Sequence, residues 1–349
     1  MVSGHEASDA AIRIWALLSA RPGDNDQVIA LAEALGLPFE IKQLNYNVLN
    51  LVGPRLLGRS LASLTASSRN AILAQPPPDL TISTGHRSVP VVRALRYRSG
   101  GRTRSIHIGF PRVSPSHFDL VIATLQYSMP DHPKLLRIPY ALTCAAVSKS
   151  DFDAHMSQLS PPRRLLLVGG PTLFWDLDER LLKHTLDELL DAATIEGGSV
   201  LVSTSARTPD QLRNQIRSVL DNSPAPTLLA QPETLPHYAD LLGSADSIHV
   251  TADSVSMVSD AIWTGKPVAL LPIRKSLSGK LVFGLMDAVR PGVRVYPQDL
   301  RYFWNELASL GVNDRLATPQ TSAAVVINAV LERTSAVIES IVSAASACS

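Results

Sequence analysis

Short apolar runs alternate with segments of helical spacing along most of this chain. AIRIWALLSA (11–20) reads as a buried strand. RPGDNDQ follows as a turn, and VIALAEALG (28–36) has helical apolar spacing ending in Gly36, a residue suited to a helix C-cap. FEIKQLNY is a second strand, and residues 51–75 mix apolar and basic positions in a loop and helix. PDLTISTG (78–85) predicts a strand closed by a glycine turn, VPVVRALRYRSG a helix ending in Gly100, and RSIHIGF and FDLVIAT two more strands. After a soft region at 139–163 the alternation restarts. LLLVGG (165–170), SVLVSTSART, TLLAQ, SIHVTAD and ALLPI predict strands. LDERLLKHTLDELLDAAT, PDQLRNQIRSVLD and PHYADLLGSA predict helices between them. A polar Lys/Gly stretch and a long helix over about 322–345 close the chain. Strand and helix alternate twice over, which predicts two parallel-sheet α/β domains.

Length agrees, because 349 residues exceed what one core usually holds. Pro161-Pro162 marks the linker. Hydrophobic content of 45% and charge of 18% are those of an ordinary globular protein. No apolar run reaches the ~18 residues of a membrane span. The N-terminus lacks a basic region followed by an apolar one, so no secretory signal is read. Cys144 and Cys348 form no metal spacing, and a reducing, cytoplasmic compartment is expected. Charge is uneven: residues 1–150 carry 16 Lys and Arg against 9 Asp and Glu, and the remainder 16 against 22. A basic first half suits an anionic membrane surface, on the inner face of the membrane, or a phosphorylated acceptor; scattered solvated arginines give the same count. Nucleic acid is not expected, since aromatics are only 5% and do not interleave with basic residues.

Candidate chemistry sits at strand ends, where ligands bind in parallel sheets. VTADSVSMVSDAIWTGKPVALLPI (250–273) is the most informative stretch. It puts Thr251, Asp253, Ser254 and Ser256 at a helix start, with Met257 beside them. Helix N-termini present unpaired amides and partial positive charge to a phosphate. Asp260 lies one turn after Ser256 on the same face, placed for ribose hydroxyls. The plainer alternative is a helix cap by Ser254 or Thr251. Gly169 and Gly170 end another strand and allow close backbone approach. Ser203, Thr204, Ser205 and Arg207 end a third, with Arg207 able to grip phosphate; Gln231 ends a fourth. Ordinary turns account for each taken singly. In the first half, Asp24 and His86 are candidate general bases, against a helix cap at Asp24 for a helix starting near Asp26 and a solvated turn at His86. His107, within a strand, reads as a core or edge histidine. Motifs for dinucleotide binding, a P-loop, zinc or a serine nucleophile are absent, which favours chemistry without metal or cofactor.

The chain resembles the family known in plants as mitochondrial fission proteins, whose bacterial members are described as candidate glycosyltransferases. The resemblance rests on RPGDNDQ (21–27), PDLTISTGHRSVP (78–90), FDLVIAT (118–124), LLLVGGP (165–171), VSTSARTP (202–209) and VTADSVSMVSDAIWTGKPV (250–268). It implies a GT-B fold, with two Rossmann-like domains facing each other across a cleft. Residues 1–155 would form the acceptor domain and 164–321 the nucleotide-sugar-binding domain, with a helix at 322–349 packing back toward the first. It implies a nucleoside-diphosphate sugar as donor substrate, no cofactor, and an acceptor hydroxyl that is lipid-linked or part of a cell-envelope glycan. Asp260 would then contact ribose, Ser254 and Ser256 diphosphate, Gly169 and Gly170 the cleft, and Arg207 a phosphate. The chain departs from the family pattern at TLQYSMPDH, after FDLVIAT, and at Ser205-Ala206-Arg207. Two alternatives stay open: a non-catalytic membrane or protein-interaction protein on this scaffold, and an epimerase or hydrolase of the same fold.

Overall fold

The computed structural model describes residues 12–20, 22–143, 159–230, 237–289 and 299–346. Gln231, Cys144 and Cys348 lie outside the described residues. The chain forms two compact units. One holds the described residues of Met1–Ala123, Pro130–Leu136 and Asn328–Ser349, the other those of Thr124–Met129 and Arg137–Ile327.

The first unit is built on β1 (Ile14–Leu18), β2 (Phe39–Gln43), β3 (Leu80–Thr84), β4 (Arg104–Ile108), β5 (Leu120–Thr124) and β6 (Leu135–Ile138). Their order is β2-β1-β3-β4-β5-β6, and β1 through β5 pair in parallel. All five residues of β1, β3 and β5 are buried. A parallel strand covered on both faces by crossover helices favours apolar runs such as β1 and β5, whereas β3 buries Thr81 and Ser83 by donating their hydroxyls to the Arg104 and Ile106 carbonyls (3.3 and 3.4 Å). The helix after β1 starts at Pro22 rather than near Asp26, and its first turn contains Asp24. Gly85 is no turn either: at φ +70° it opens the helix Gly85–Arg98 directly from β3.

The second sheet has β7 (Arg163–Val168), β9 (Ser199–Thr204), β10 (Thr227–Ala230), β11 (Ser247–Thr251) and β12 (Val268–Leu271) in the order β10-β9-β7-β11-β12, all parallel. Counted within this unit the order is 3-2-1-4-5, the doubly wound Rossmann arrangement. Helices Glu179–Glu196 and Asp210–Asp221 cover one face, burying Leu186, Leu190, Leu212 and Ile216 against Leu166, Val168, Val200 and Val202. Two short strands, β8 (Trp175–Asp176) and β13 (Arg274–Lys275), form a separate antiparallel ribbon.

Three features depart from the reading of the chain. The stretch after ALLPI is helical over Leu277–Val289, and a further helix spans Leu300–Ser309. Two glycines lower the helical propensity of the first. One of them, Gly279, is required: a Cβ there would lie 2.1 Å from the Phe174 carbonyl oxygen. Residues 139–143, assigned from sequence to the first domain, follow β6 and belong to the second unit. The Ala141 amide donates to Ser259 Oγ (2.9 Å) and the Trp263 indole to the Ala141 carbonyl (2.8 Å).

Candidate functional site

The Rossmann order places a switch point between β7 and β11, where neighbouring connections leave on opposite faces and open a crevice at the strand ends. Register brings those ends level: Val168 pairs with Thr204, and Val250 with Leu167. Gly169, Ser205 and Ala252 therefore step off the sheet together. The Gly169 amide donates to Thr251 Oγ1 across the switch point (2.8 Å).

Asp253 organises this edge. Its side chain is only 1% exposed. It accepts the Gly170 amide (3.0 Å), the Thr251 hydroxyl (2.6 Å) and Arg207 Nη2 (2.7 Å). Arg207 Nη1 also donates to the Gly170 carbonyl (2.8 Å). The two glycines make this possible, since a Cβ on Gly169 would lie 2.2 Å from the Asp253 carboxylate and one on Gly170 2.3 Å from the Arg207 carbonyl oxygen. Thr208 completes the lock; its hydroxyl donates to the Gly169 carbonyl (2.6 Å) and accepts the Ser205 amide (3.0 Å). Thus Thr251, Asp253, Gly169 and Gly170, expected as ligand contacts, are spent on one another. A carboxylate at a helix start would repel phosphate; here three donors offset it. The Arg207 side chain remains 43% exposed and keeps donors free of that pair.

Helix Val255–Trp263 starts beside this lock. Ser254 is its N-cap, with Oγ accepting the Met257 amide at 3.4 Å, and its carbonyl takes the first intrahelical bond from Val258. The amides of Val255 and Ser256 belong to the set that a helix cannot satisfy itself. Ser254, Ser256 and Met257 are half-buried, at the helix mouth. Asp260 is buried at 6% exposure, and Ser203 is buried inside β9. The structure therefore gathers Ser254, Ser256, Met257, Ser205 and Arg207 near open surface and draws Asp260 and Ser203 inward. The Gly-Lys-Pro turn is structural: Gly265 has φ +70°, and Lys266 Nζ caps the helix Tyr238–Ser244 through the Leu242 and Gly243 carbonyls (2.7 and 2.6 Å).

Two features escaped the sequence reading. Thr208 gave its signal in the hydroxyl-rich STSART. The other is a cavity of about 310 Å³ past the ends of β11 and β12, lined by Ala252, Leu270, Pro272, Ile273, Trp304 and Asn313 among others. Trp304 closes it, with its indole N–H bonded to the Ala252 carbonyl (2.9 Å). It draws on the helix Leu300–Ser309, which has no signal in the strand ends themselves.

In the first unit the order 2-1-3-4-5 puts the switch point between β1 and β3. Asp24 and His86 follow those two strands, and both are half-buried. An Asp24 carboxylate oxygen lies 4.0 Å from where a Gly85 Cβ would be, so the carboxylate faces the start of the helix carrying His86. Asn25 fixes the turn by exchanging two hydrogen bonds with the Ser19 backbone, each 2.8 Å. His107 is a core residue: fully buried, bonded through Nδ1 to Ser83 Oγ (3.0 Å), its pKa pushed down to about 3 by burial and then by the charge of His86. Among the described residues no group of His, Cys, Asp and Glu could hold a metal ion, and no helix is long and apolar enough to cross a membrane.

A family model described as mitochondrial fission ELM1 matches residues 22–293. The uncharacterized protein RP120 of Rickettsia prowazekii is 24% identical over 317 residues, 77% of this chain and 86% of that protein. The mitochondrial fission protein ELM1 of Arabidopsis thaliana is 26% identical over 219 residues; the match spans 55% of this chain and about half, 51%, of that protein. Among solved structures, UDP-GlcNAc 2-epimerase from Methanocaldococcus jannaschii aligns with a TM-score of 0.50 at 12% identity, covering 93% of this chain and 99% of that one. At that identity the likeness is one of fold, the GT-B class of two Rossmann-like domains.

Proposed function

This chain belongs to the mitochondrial fission ELM1 family, and from that premise we propose that its second unit binds a nucleoside-diphosphate sugar and that the protein transfers the sugar to an acceptor hydroxyl. The observation that carries the reading is the helix start at Ser254, set at the switch point beside a partly exposed Arg207. Amides of Val255 and Ser256, the hydroxyls of Ser254 and Ser256, and the free donors of Arg207 are the proposed diphosphate contacts. As the glycosidic bond to phosphate breaks, negative charge grows on the leaving diphosphate, and fixed donors and the helix dipole stabilise it more than the ground state. The Asp253 lock acts indirectly, by aiming Arg207. We assign the base of the nucleotide to the apolar cavity beside Trp304, and the acceptor proton to Asp24 or His86 at the first unit's switch point. No metal or cofactor is required by this scheme.

Titration calorimetry of the full chain with UDP, GDP, ADP and CMP tests the donor site, and Trp304 fluorescence tests where the base lies. Binding of one diphosphate, lost in Arg207→Ala, is expected. Absence of binding to all four by folded protein overturns the reading. Free sugar released from a bound donor without acceptor replaces transfer by hydrolysis.

A further inference from the structure

A strongly cationic surface on the first unit holds out apolar side chains that no other described residue covers. Residues 41–118 contain eleven Lys and Arg and a single carboxylate, Asp79. Within that stretch lie a short 3-10 helix, Val48–Leu51, and a single helical turn, Pro54–Leu57. Val48, Leu51 and Leu56 are 80%, 83% and 85% exposed. Such exposure is not fraying. Asn47 caps the first element and ties it to the Ala62 and Leu64 carbonyls (2.8 and 2.9 Å), and Pro54 is buried beneath the second. Arg59 leaves this segment and lies over the Tyr97 ring, 5.2 Å from its centroid. Arg93 and His117 stand close by: burial, then the charge of Arg59, lowers the Arg93 pKa, and burial, then Arg93 and Arg59, lowers that of His117. The next acid after Asp79, Asp119, is already held by Arg96 (3.0 Å) and Arg104 (3.4 Å). Arg59 and Arg93 form no ion pair among the described residues.

Rigidly presented leucines set among unneutralised arginines match one surface chemistry, an anionic lipid bilayer, whose phosphates take the guanidinium groups while its upper acyl layer takes the apolar side chains. Nucleic acid would use the charge and leave the leucines in water. We propose that residues 48–59 form a membrane-docking element, with Val48, Leu51 and Leu56 inserting and Arg55, Arg59 and Arg93 contacting lipid phosphate. The inference is independent of sugar transfer, since it rests on a different part of the molecule.

The test is co-sedimentation of the full chain with vesicles of phosphatidylcholine alone and of equal parts phosphatidylcholine and phosphatidylglycerol. Binding to the anionic vesicles only, weakened by salt, is expected. Leu51→Ser/Leu56→Ser should cut partitioning roughly tenfold per leucine, and Arg55→Gln/Arg59→Gln roughly fivefold per arginine. Leu281→Ser/Leu285→Ser is the control, because those leucines are exposed on a helix of the second unit; it should bind as the parent does. All four changed positions of the docking segment are exposed, so circular dichroism should match the parent. No binding to anionic vesicles, undiminished binding by Leu51→Ser/Leu56→Ser, or equally tight binding to duplex DNA overturns the proposal.

Discussion

Replacing Asp253 by alanine is the sharpest test of how the strand-end cluster is held. The change removes the acceptor of the Gly170 amide and of the Thr251 hydroxyl, both buried. Each orphaned donor costs about 1–3 kcal/mol. Arg207 loses its partner too, but its side chain is 43% exposed and water can take its place, so nothing is added for it. The expected loss is about 2–6 kcal/mol, which for a unit of this size, at about 3 °C per kcal/mol, corresponds to roughly 6–18 °C in Tm. Thermal melts followed by far-ultraviolet circular dichroism read it directly. A cycle with Arg207→Ala isolates the ion pair. Arg207→Ala alone leaves a buried carboxylate without its cation, and adding Asp253→Ala removes that charge but orphans the same two donors, so the double variant should be about as stable as Asp253→Ala alone. A Tm for Asp253→Ala within about 2 °C of the parent refutes the reasoning, because the carboxylate then holds nothing in place.

Three further outcomes follow from other sites. Folded His107 takes no proton until about pH 3, whereas the unfolded chain takes one from about pH 6.5. Its contribution to stability is therefore whole above pH 6.5 and falls by about 1.4 kcal/mol per pH unit below it. His107→Leu should shrink the loss between pH 7 and pH 5 by about 2 kcal/mol in urea melts; equal acid sensitivity in both proteins would count against a neutral buried ring. Gly279→Ala should destabilise by about 1–3 kcal/mol despite the better helix propensity of alanine, since its Cβ meets the Phe174 carbonyl; a higher Tm removes that contact from the account. Ser254→Ala should cost only about 0.5–1 kcal/mol of stability, the cap bond being long, while diphosphate affinity in calorimetry drops roughly tenfold. Unchanged affinity reduces Ser254 to a cap.

The switch points could be read from sequence only as strand ends. LLLVGG and SIHVTAD showed that Gly169 and Thr251 each follow a buried strand, but not that β7 and β11 are neighbours. Asp24 and His86 were likewise legible as loop residues and acquired a common location through the pairing of β1 with β3. For Asp253 the sequence offered least. A carboxylate at a helix start reads as a cap or a ligand contact, and its partners are a glycine 83 positions earlier and an arginine 46 positions earlier.

Local patterning by itself determined the α/β class, most strands and the helix start at Ser254. Strands buried on both faces are mostly apolar, and a helix mouth favours a side chain that caps its amides, so both leave marks within a few residues. Tertiary structure decided the rest. Strand order, the spending of Thr251, Asp253 and the paired glycines on one another, and the burial of Asp260 depend on which distant segments meet. The same holds for Gly279, which is required by the Phe174 carbonyl 105 positions earlier, while its neighbour Ser278 bonds the Leu173 carbonyl across the same separation. Contacts of that separation are chosen by packing of the whole sheet, and no periodicity along the chain encodes them.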